Sequence, residues 1–230
     1  MVETVTGSAG VLVNPPQVIQ GLRALCDKYN ILLIIDEVMA GIGRCGEMFA
    51  FQKYEGITPD IFTCAKGLSG SYLPLSAVGF RKDIQDFYRT NAIGWGTTYQ
   101  AHPVSCIAGY ETMKYMIDQD VVGNVKKMEK IMDKRMNELL KKHNCLRQGR
   151  LTGLFGAFDL VGKDGQLIQR QFQDPNPPAV IQFKKKLLEN SIFMWVRAPV
   201  LHIAPPLIIT ETELNDAFDK IDDAMKVLDH

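Results

Sequence analysis

Ile31-Leu32-Leu33-Ile34-Ile35-Asp36-Glu37-Val38 decides how this chain is read, together with Ile61-Phe62-Thr63-Cys64-Ala65-Lys66-Gly67 further on. The apolar run Ile31 to Ile35 is too short for a helix, is rich in branched residues and stops at two carboxylates. That pattern predicts a strand buried on both faces of a parallel sheet. In open α/β sheets the ligand crevice lies beyond the carboxyl ends of the strands, which is where Asp36 falls. A second short strand, Ile61 to Cys64, delivers Lys66 to the same edge.

A carboxylate and a lysine facing one crevice are the pair that holds pyridoxal phosphate, the lysine as an imine and the aspartate on the pyridine nitrogen. Lys66 can also shuttle a proton once the substrate has displaced it. Apolar residues followed by Asp-Glu also describe the Mg-ATP carboxylates of a P-loop ATPase. That reading needs a GxxxxGK[ST] loop, which the chain does not contain, and it leaves Lys66 without a role. An aspartate closing a strand is also a common turn former, so the pair carries the reading and Asp36 alone does not. Lys66 follows an apolar strand directly and is expected to be buried, which favours the neutral amine that imine formation needs. Gly67 is expected to leave room for a bulky cofactor.

Outward from that core, the composition is ordinary for a globular protein of 230 residues, with 46% hydrophobic and 23% charged residues. Lys+Arg and Asp+Glu both number 26, so no charge excess points to nucleic acid or to an anionic membrane. The 5 cysteines never form a CxxC pair, and the 4 histidines have no ligand spacing. No metal site or disulfide framework is therefore expected. Without a signal peptide or a membrane-length apolar run, the expected location is the cytoplasm.

In chain order, the glycine-rich loop Gly7 to Gly10 precedes a helix opened by Pro15 and Pro16. A turn-like segment Met48 to Tyr54 leads to Pro59-Asp60. A third strand is predicted over 75–80, a helix over 82–90 and a loop over 94–99. A long helical region spans about 103–143, interrupted at Gly123. Beyond Gly149 short strands at 154–161, 192–196 and 201–204 alternate with helices at about 178–190 and 211–228, the last capped by Thr210 with Glu213. The expected division is 1–146 and a smaller α+β domain over 147–230.

Two further features suit a ligand. Thr97-Thr98, between glycines, can give donors to a phosphate, although such a pair is ordinarily just a loop. Arg197, at the end of an apolar strand, can clamp a carboxylate or sulfonate, although most arginines are simply solvated. Cys64 reads as packing.

Several segments together resemble the class III, fold type I pyridoxal-phosphate aminotransferases. They are Leu33-Ile34-Ile35-Asp36-Glu37-Val38, Gly41-Ile42-Gly43-Arg44, Pro59-Asp60-Ile61, Ala65-Lys66-Gly67, Thr98-Tyr99 with His102-Pro103-Val104, and Ile203-Ala204-Pro205-Pro206-Leu207-Ile208-Ile209-Thr210. The resemblance is to the ω-amino acid and taurine:pyruvate branch, and it spans essentially the whole chain. It implies an α/β fold comprising the C-terminal part of the large cofactor-binding domain followed by a small α+β domain. It implies pyridoxal 5′-phosphate as cofactor, Lys66 as the Schiff-base lysine, Asp36 on the pyridine nitrogen and Val38 against the ring. Thr98 matches the threonine that reaches the cofactor phosphate of a neighbouring subunit, which implies a dimer. Arg197 matches a carboxylate-binding arginine, and Glu3 a glutamate that pairs with a substrate-site arginine, with Thr4 where the family usually has proline.

Members of that family are longer at the front, where the phosphate-binding Gly-Ser loop and a ring-stacking aromatic lie. The chain is accordingly expected to be a truncated enzyme, inactive without an N-terminal part. The expected reaction is transamination of an amino acid or ω-amine with an oxo acid such as pyruvate. The alternatives are an aminomutase or decarboxylase using the same lysine, and a non-catalytic fragment that pairs with a partner half.

Overall fold

A computed structural model of the chain describes residues 1–168 and 175–229. In chain order it contains β1 (Val2–Glu3), β2 (Val5–Thr6), β3 (Leu12–Val13), α1 (Pro16–Tyr29), β4 (Ile34–Asp36), β5 (Ile61–Cys64), β6 (Ala77–Phe80) and α2 (Lys82–Tyr88). There follow α3 (Pro103–Asp118), α4 (Val121–Lys142), β7 (Leu146–Thr152), β8 (Phe155–Leu160), α5 (Pro178–Glu189), β9 (Val196–Arg197), β10 (Val200–Ile203) and α6 (Glu211–Met225). Two compact units result: residues 1–5 with 14–122, and residues 6–13 with 123–230.

The first unit is built on a sheet ordered β1-β4-β5-β6. β1, β4 and β5 run parallel, and β6 is antiparallel to β5. The strand bearing Asp36 is shorter than expected, three residues rather than the whole apolar run, and Ile31 and Leu32 are exposed. Nor is it buried on both faces. Ile35 belongs to a core with Ile19, Leu33, Tyr54 and Ile57, with Leu22 and Cys26 of α1 against it. Ile34 and Ile61, on the opposite face, are only half-buried, and Val78 and Phe80 there are exposed. The side-chain alternation of a strand therefore puts α1 on one face, and no described element seals the other.

Asp60 fastens this unit together ahead of β5. Its Oδ2 accepts the Leu33 N–H at 2.6 Å and the Arg23 Nη1 at 2.9 Å, while Oδ1 pairs with Arg81. Burial works against the charged form, yet the Leu33 N–H and the two guanidinium groups hold the carboxyl below its usual range. A carboxyl lowered by folding contributes stability that is present above its unfolded pKa, about 3.9, and is lost as pH falls through the folded value. Asp60→Asn is expected to cost about 2 kcal/mol at neutral pH. Urea denaturation of wild type and variant should show that gap narrowing below about pH 4; a gap that holds constant with pH would contradict the ion-pair account.

The second unit packs α4, α5 and α6 around a sheet ordered β7-β8-β10-β9. Every residue of β8 is buried. Met128, Met132 and Met136 make one stripe of α4, and a Cβ on Gly156 would stand 2.8 Å from Met132 Cε. That stripe places α4 in the second unit, so the compact units part at 122/123 rather than at the expected residue 147. The helical region 103–143 breaks between α3 and α4, at Gln119 and Asp120 with Asp120 at φ 45°; Gly123 lies inside α4. β7 was not foreseen, and the strand expected at 192–196 is reduced to β9. Thr210 caps α6 as expected: its Oγ1 accepts the Glu213 N–H at 3.3 Å, and Glu213 Oε2 accepts the Thr210 N–H at 2.9 Å.

Candidate active site

β4 and β5 carry Asp36 and Lys66 to the same edge of the sheet. Asp36 ends β4 and pairs in register with Thr63 of β5, and Lys66 lies three residues beyond Thr63. Asp36 is half-buried, and its Oδ1 accepts the Val38 N–H at 2.9 Å. One oxygen thus forms the turn, so the turn-former reading and the ligand reading of this aspartate coexist. Val38 follows, also half-buried.

Glu37, the second carboxylate, is fully buried and turns elsewhere. Its Oε2 accepts the Ala50 N–H at 2.8 Å and its Oε1 the Phe51 N–H at 2.9 Å, closing the 3-10 turn Ala50–Lys53. Burial raises its pKa, against those two N–H bonds and the Thr4 hydroxyl. Sequence reading missed this role; an acidic residue followed by an aromatic turn was its only trace.

Lys66 opens a second 3-10 turn, Lys66–Ser69, with φ at 50°. The left-handed region is costly for a side chain other than glycine, and strain of this kind gathers at functional positions. The turn also exposes Lys66, contrary to the expected burial. The sequence flanks are apolar, but the reversal at φ 50° turns the side chain out of the strand's packing. Gly67 serves the fold: a Cβ there would stand 3.2 Å from Ile42 Cβ, so the close approach it permits is to Ile42.

Lys66 lines a cleft of about 780 Å³ with Tyr72, Ser76, Trp95, Thr97 and His102. Thr97 is held by its N–H to Gln100 Oε1 at 3.1 Å. Thr98 is exposed and is not part of the cleft wall, nor are Asp36 and Val38. Glu3, half-buried on β1, is the register partner of Asp36, and its backbone carbonyl accepts the Asn14 side chain at 2.8 Å. Glu3, Asp36 and Thr63 therefore form one rung. Arg197 lies in the second unit, exposed on β9 and paired with Val200 of β10. On that sheet Trp195 stacks on His202 at 4.5 Å, and burial lowers the pKa of His202.

A family model for class-III aminotransferases matches residues 1–225. The chain belongs to the class-III aminotransferase family. It is 32% identical over 98% of its length to an acetylornithine aminotransferase from Caldanaerobacter subterraneus subsp. tengcongensis, covering 52% of that protein. It is 31% identical over 98% of its length to a β-alanine–pyruvate aminotransferase from Pseudomonas aeruginosa, covering 49% of it. Among solved structures, a taurine:2-oxoglutarate aminotransferase from Bifidobacterium kashiwanohense, in complex with PLP and glutamate, superposes with a TM-score of 0.90 at 37% identity. That match covers 97% of this chain and 50% of that one. An S-selective transaminase from Arthrobacter sp. gives a TM-score of 0.89 at 28% identity, with 97% and 50% covered. The chain thus spans about half the length of the family members it matches, and its mixed α/β architecture is that half of their fold. Class-III aminotransferases depend on pyridoxal 5′-phosphate. Among the described residues no helix is long and apolar enough to cross a membrane.

The residues present fit such a cofactor. An exposed lysine and a carboxylate with an uncommitted oxygen share one sheet edge, and the buried Thr63 hydroxyl beside them has no partner. Lys66 would hold the cofactor covalently, Asp36 would accept a hydrogen bond from its ring N–H, and Val38 would pack on the ring.

Proposed function

We propose that this chain carries the lysine half of a transamination site, moving an amino group from an ω-amino acid, taurine or similar amine to an oxo acid such as pyruvate. Pyridoxal 5′-phosphate, when bound, supplies the ring that accepts the electron pair released when the donor's C–H bond breaks. Lys66 Nζ, freed by the donor, takes the proton from the donor's amine-bearing carbon and returns it at the second carbon. Asp36 accepts the hydrogen bond of the ring N–H and so keeps the proton on that nitrogen. Arg197 holds the anionic end of the substrate, Glu3 pairs with an arginine of the substrate site, and Thr98 reaches the cofactor phosphate of a neighbouring subunit. The first unit is assigned to the large, cofactor-binding domain and the second to a small C-terminal domain.

The observation that carries this reading is the placement of Asp36 and Lys66 at one edge of neighbouring parallel strands, in a chain matched along residues 1–225 by the family. Taurine and β-alanine are the first donors to try, because two of the relatives are named for them. Co-expressed with a polypeptide carrying the N-terminal half of a class-III aminotransferase and supplied with pyridoxal phosphate, a donor and pyruvate, the chain is expected to convert pyruvate to alanine, read by chromatography. Consumption of the donor with no loss of the oxo acid would favour an aminomutase or decarboxylase.

We further propose that the working unit is a homodimer or a pairing with an N-terminal half. The exposed apolar surface of the first unit supports this: Val78 and Phe80 on the open sheet face, Ile107 and Tyr110 on α3, and Trp95 and Tyr99 beside the cleft, the last two 76% and 80% exposed. If the chain alone converts no pyruvate but does so when a polypeptide carrying the N-terminal half of a class-III aminotransferase is co-expressed, the paired form is the active one.

A further inference from the structure

Thr63 carries a buried hydroxyl oxygen that has no hydrogen-bond partner. Buried polar groups are otherwise nearly always satisfied, and each exception needs a physical explanation. A strand position that required only bulk would be served better by valine, which has the same shape and no group to satisfy.

The surroundings of Thr63 suggest what the hydroxyl is for. Across the parallel strands Thr63 is in register with Asp36, and Asp36 is in register with Glu3 on its other side. Side chains so paired leave the same face of a sheet whose strands lie about 4.8 Å apart. Asp36 therefore stands between a carboxylate and a hydroxyl. Its Oδ1 takes the Val38 N–H, and Oδ2 takes no bond among the described residues. A carboxylate only accepts, so the Thr63 hydroxyl is the flanking group able to donate to Asp36.

We infer that Thr63 is a positioning residue for the reaction proposed above: its hydroxyl donates to the Asp36 carboxylate when the cofactor is held, and so holds that carboxylate against the ring nitrogen. The inference rests on the transamination reading. Its reach is limited to how Asp36 is held; attachment through Lys66 does not depend on it.

The test uses the whole chain, loaded with pyridoxal phosphate labelled with ¹⁵N in the ring, in wild type, Thr63→Val and Thr63→Ser forms. The ¹⁵N shift of the ring nitrogen reports whether it carries a proton, which a purely structural residue would not alter. Wild type and Thr63→Ser are expected to show the protonated shift, and Thr63→Val to move toward the unprotonated one. The kcat of amino transfer should fall about 10- to 100-fold in Thr63→Val, as for loss of other outer-shell partners, with KM for the donor little changed. Both substitutions suit a strand, and borohydride fixation followed by mass spectrometry verifies loading in each. A Thr63→Val chain that loads normally and keeps the protonated shift overturns the role given to Thr63 and leaves the transamination reading intact. A wild-type chain that fixes no cofactor, both alone and co-expressed with the N-terminal half of a class-III aminotransferase, overturns both.

Discussion

Replacing Lys66 by alanine is expected to abolish covalent attachment of the cofactor. Wild-type chain incubated with pyridoxal phosphate and reduced with borohydride should gain the mass of one reduced cofactor, localised to the peptide containing Lys66; the variant should gain none. Amino transfer should fall by at least the 10²- to 10⁴-fold that a positioned proton-transfer group contributes. Arginine in its place would keep the charge but not a group able to lose it, so Lys66→Arg should behave like the alanine variant. The exposure of Lys66 makes the attachment test direct, because no unfolding is needed for the ε-amino group to meet the cofactor. Relief of the φ 50° backbone is not gained by alanine, so the fold should be unchanged by circular dichroism. A fixed mass found on a different lysine in both proteins would remove Lys66 from the mechanism.

Asp36 is expected to show the second large effect, and a pair of substitutions separates its two jobs. Its Oδ1 holds the Val38 N–H, a turn contact worth about 1 kcal/mol. Asn keeps an acceptor for that N–H and loses the charge; Ala loses both. Loss of the charge is expected to slow proton removal from the donor about 10²- to 10³-fold in both variants, the range for removing one preorganised electrostatic partner. Cofactor retention on gel filtration should change far less than the rate. Only the alanine variant should also lose stability in urea. Single-turnover rates that match wild type in Asp36→Asn would mean that Asp36 serves the turn alone.

Much of the fold was legible because its signals are local. Pro16 opens α1, Thr210 with Glu213 caps α6, and Ile61 to Cys64 reads as a strand without any partner known. What stayed hidden depends on distant residues. β7 is interrupted by a register shift between Arg147 and Arg150, with Gln148 at φ 48°, so its alternation is broken where a strand would be sought. The direction of β6 is set by pairing with β5, which no periodicity encodes. At the site, Asp36 and Lys66 could be named from strand ends alone. The exposure of Lys66 could not, since a single left-handed residue reverses what its apolar flanks suggest. Thr63 was visible as a polar residue within an apolar run, but its significance needs the register with Asp36.

The path of residues 6–13 bears on how this protein can be made and cut. That short excursion belongs with segments synthesised far later: Arg150 Nε donates to the Gly10 carbonyl at 2.6 Å, 140 positions away, and His202 Nε2 lies 3.2 Å from the Gly7 carbonyl. On a ribosome residues 6–13 must wait for partners up to 195 positions further along the chain before they find their place, a long-range closure of the kind that slows folding. A gene divided at codon 122 would strand the excursion with the wrong product: the first product would hold all of its own unit, and the second would lack residues 6–13. Anyone wishing to express residues 123–230 independently should therefore supply the 6–13 peptide as well, joined through a designed linker.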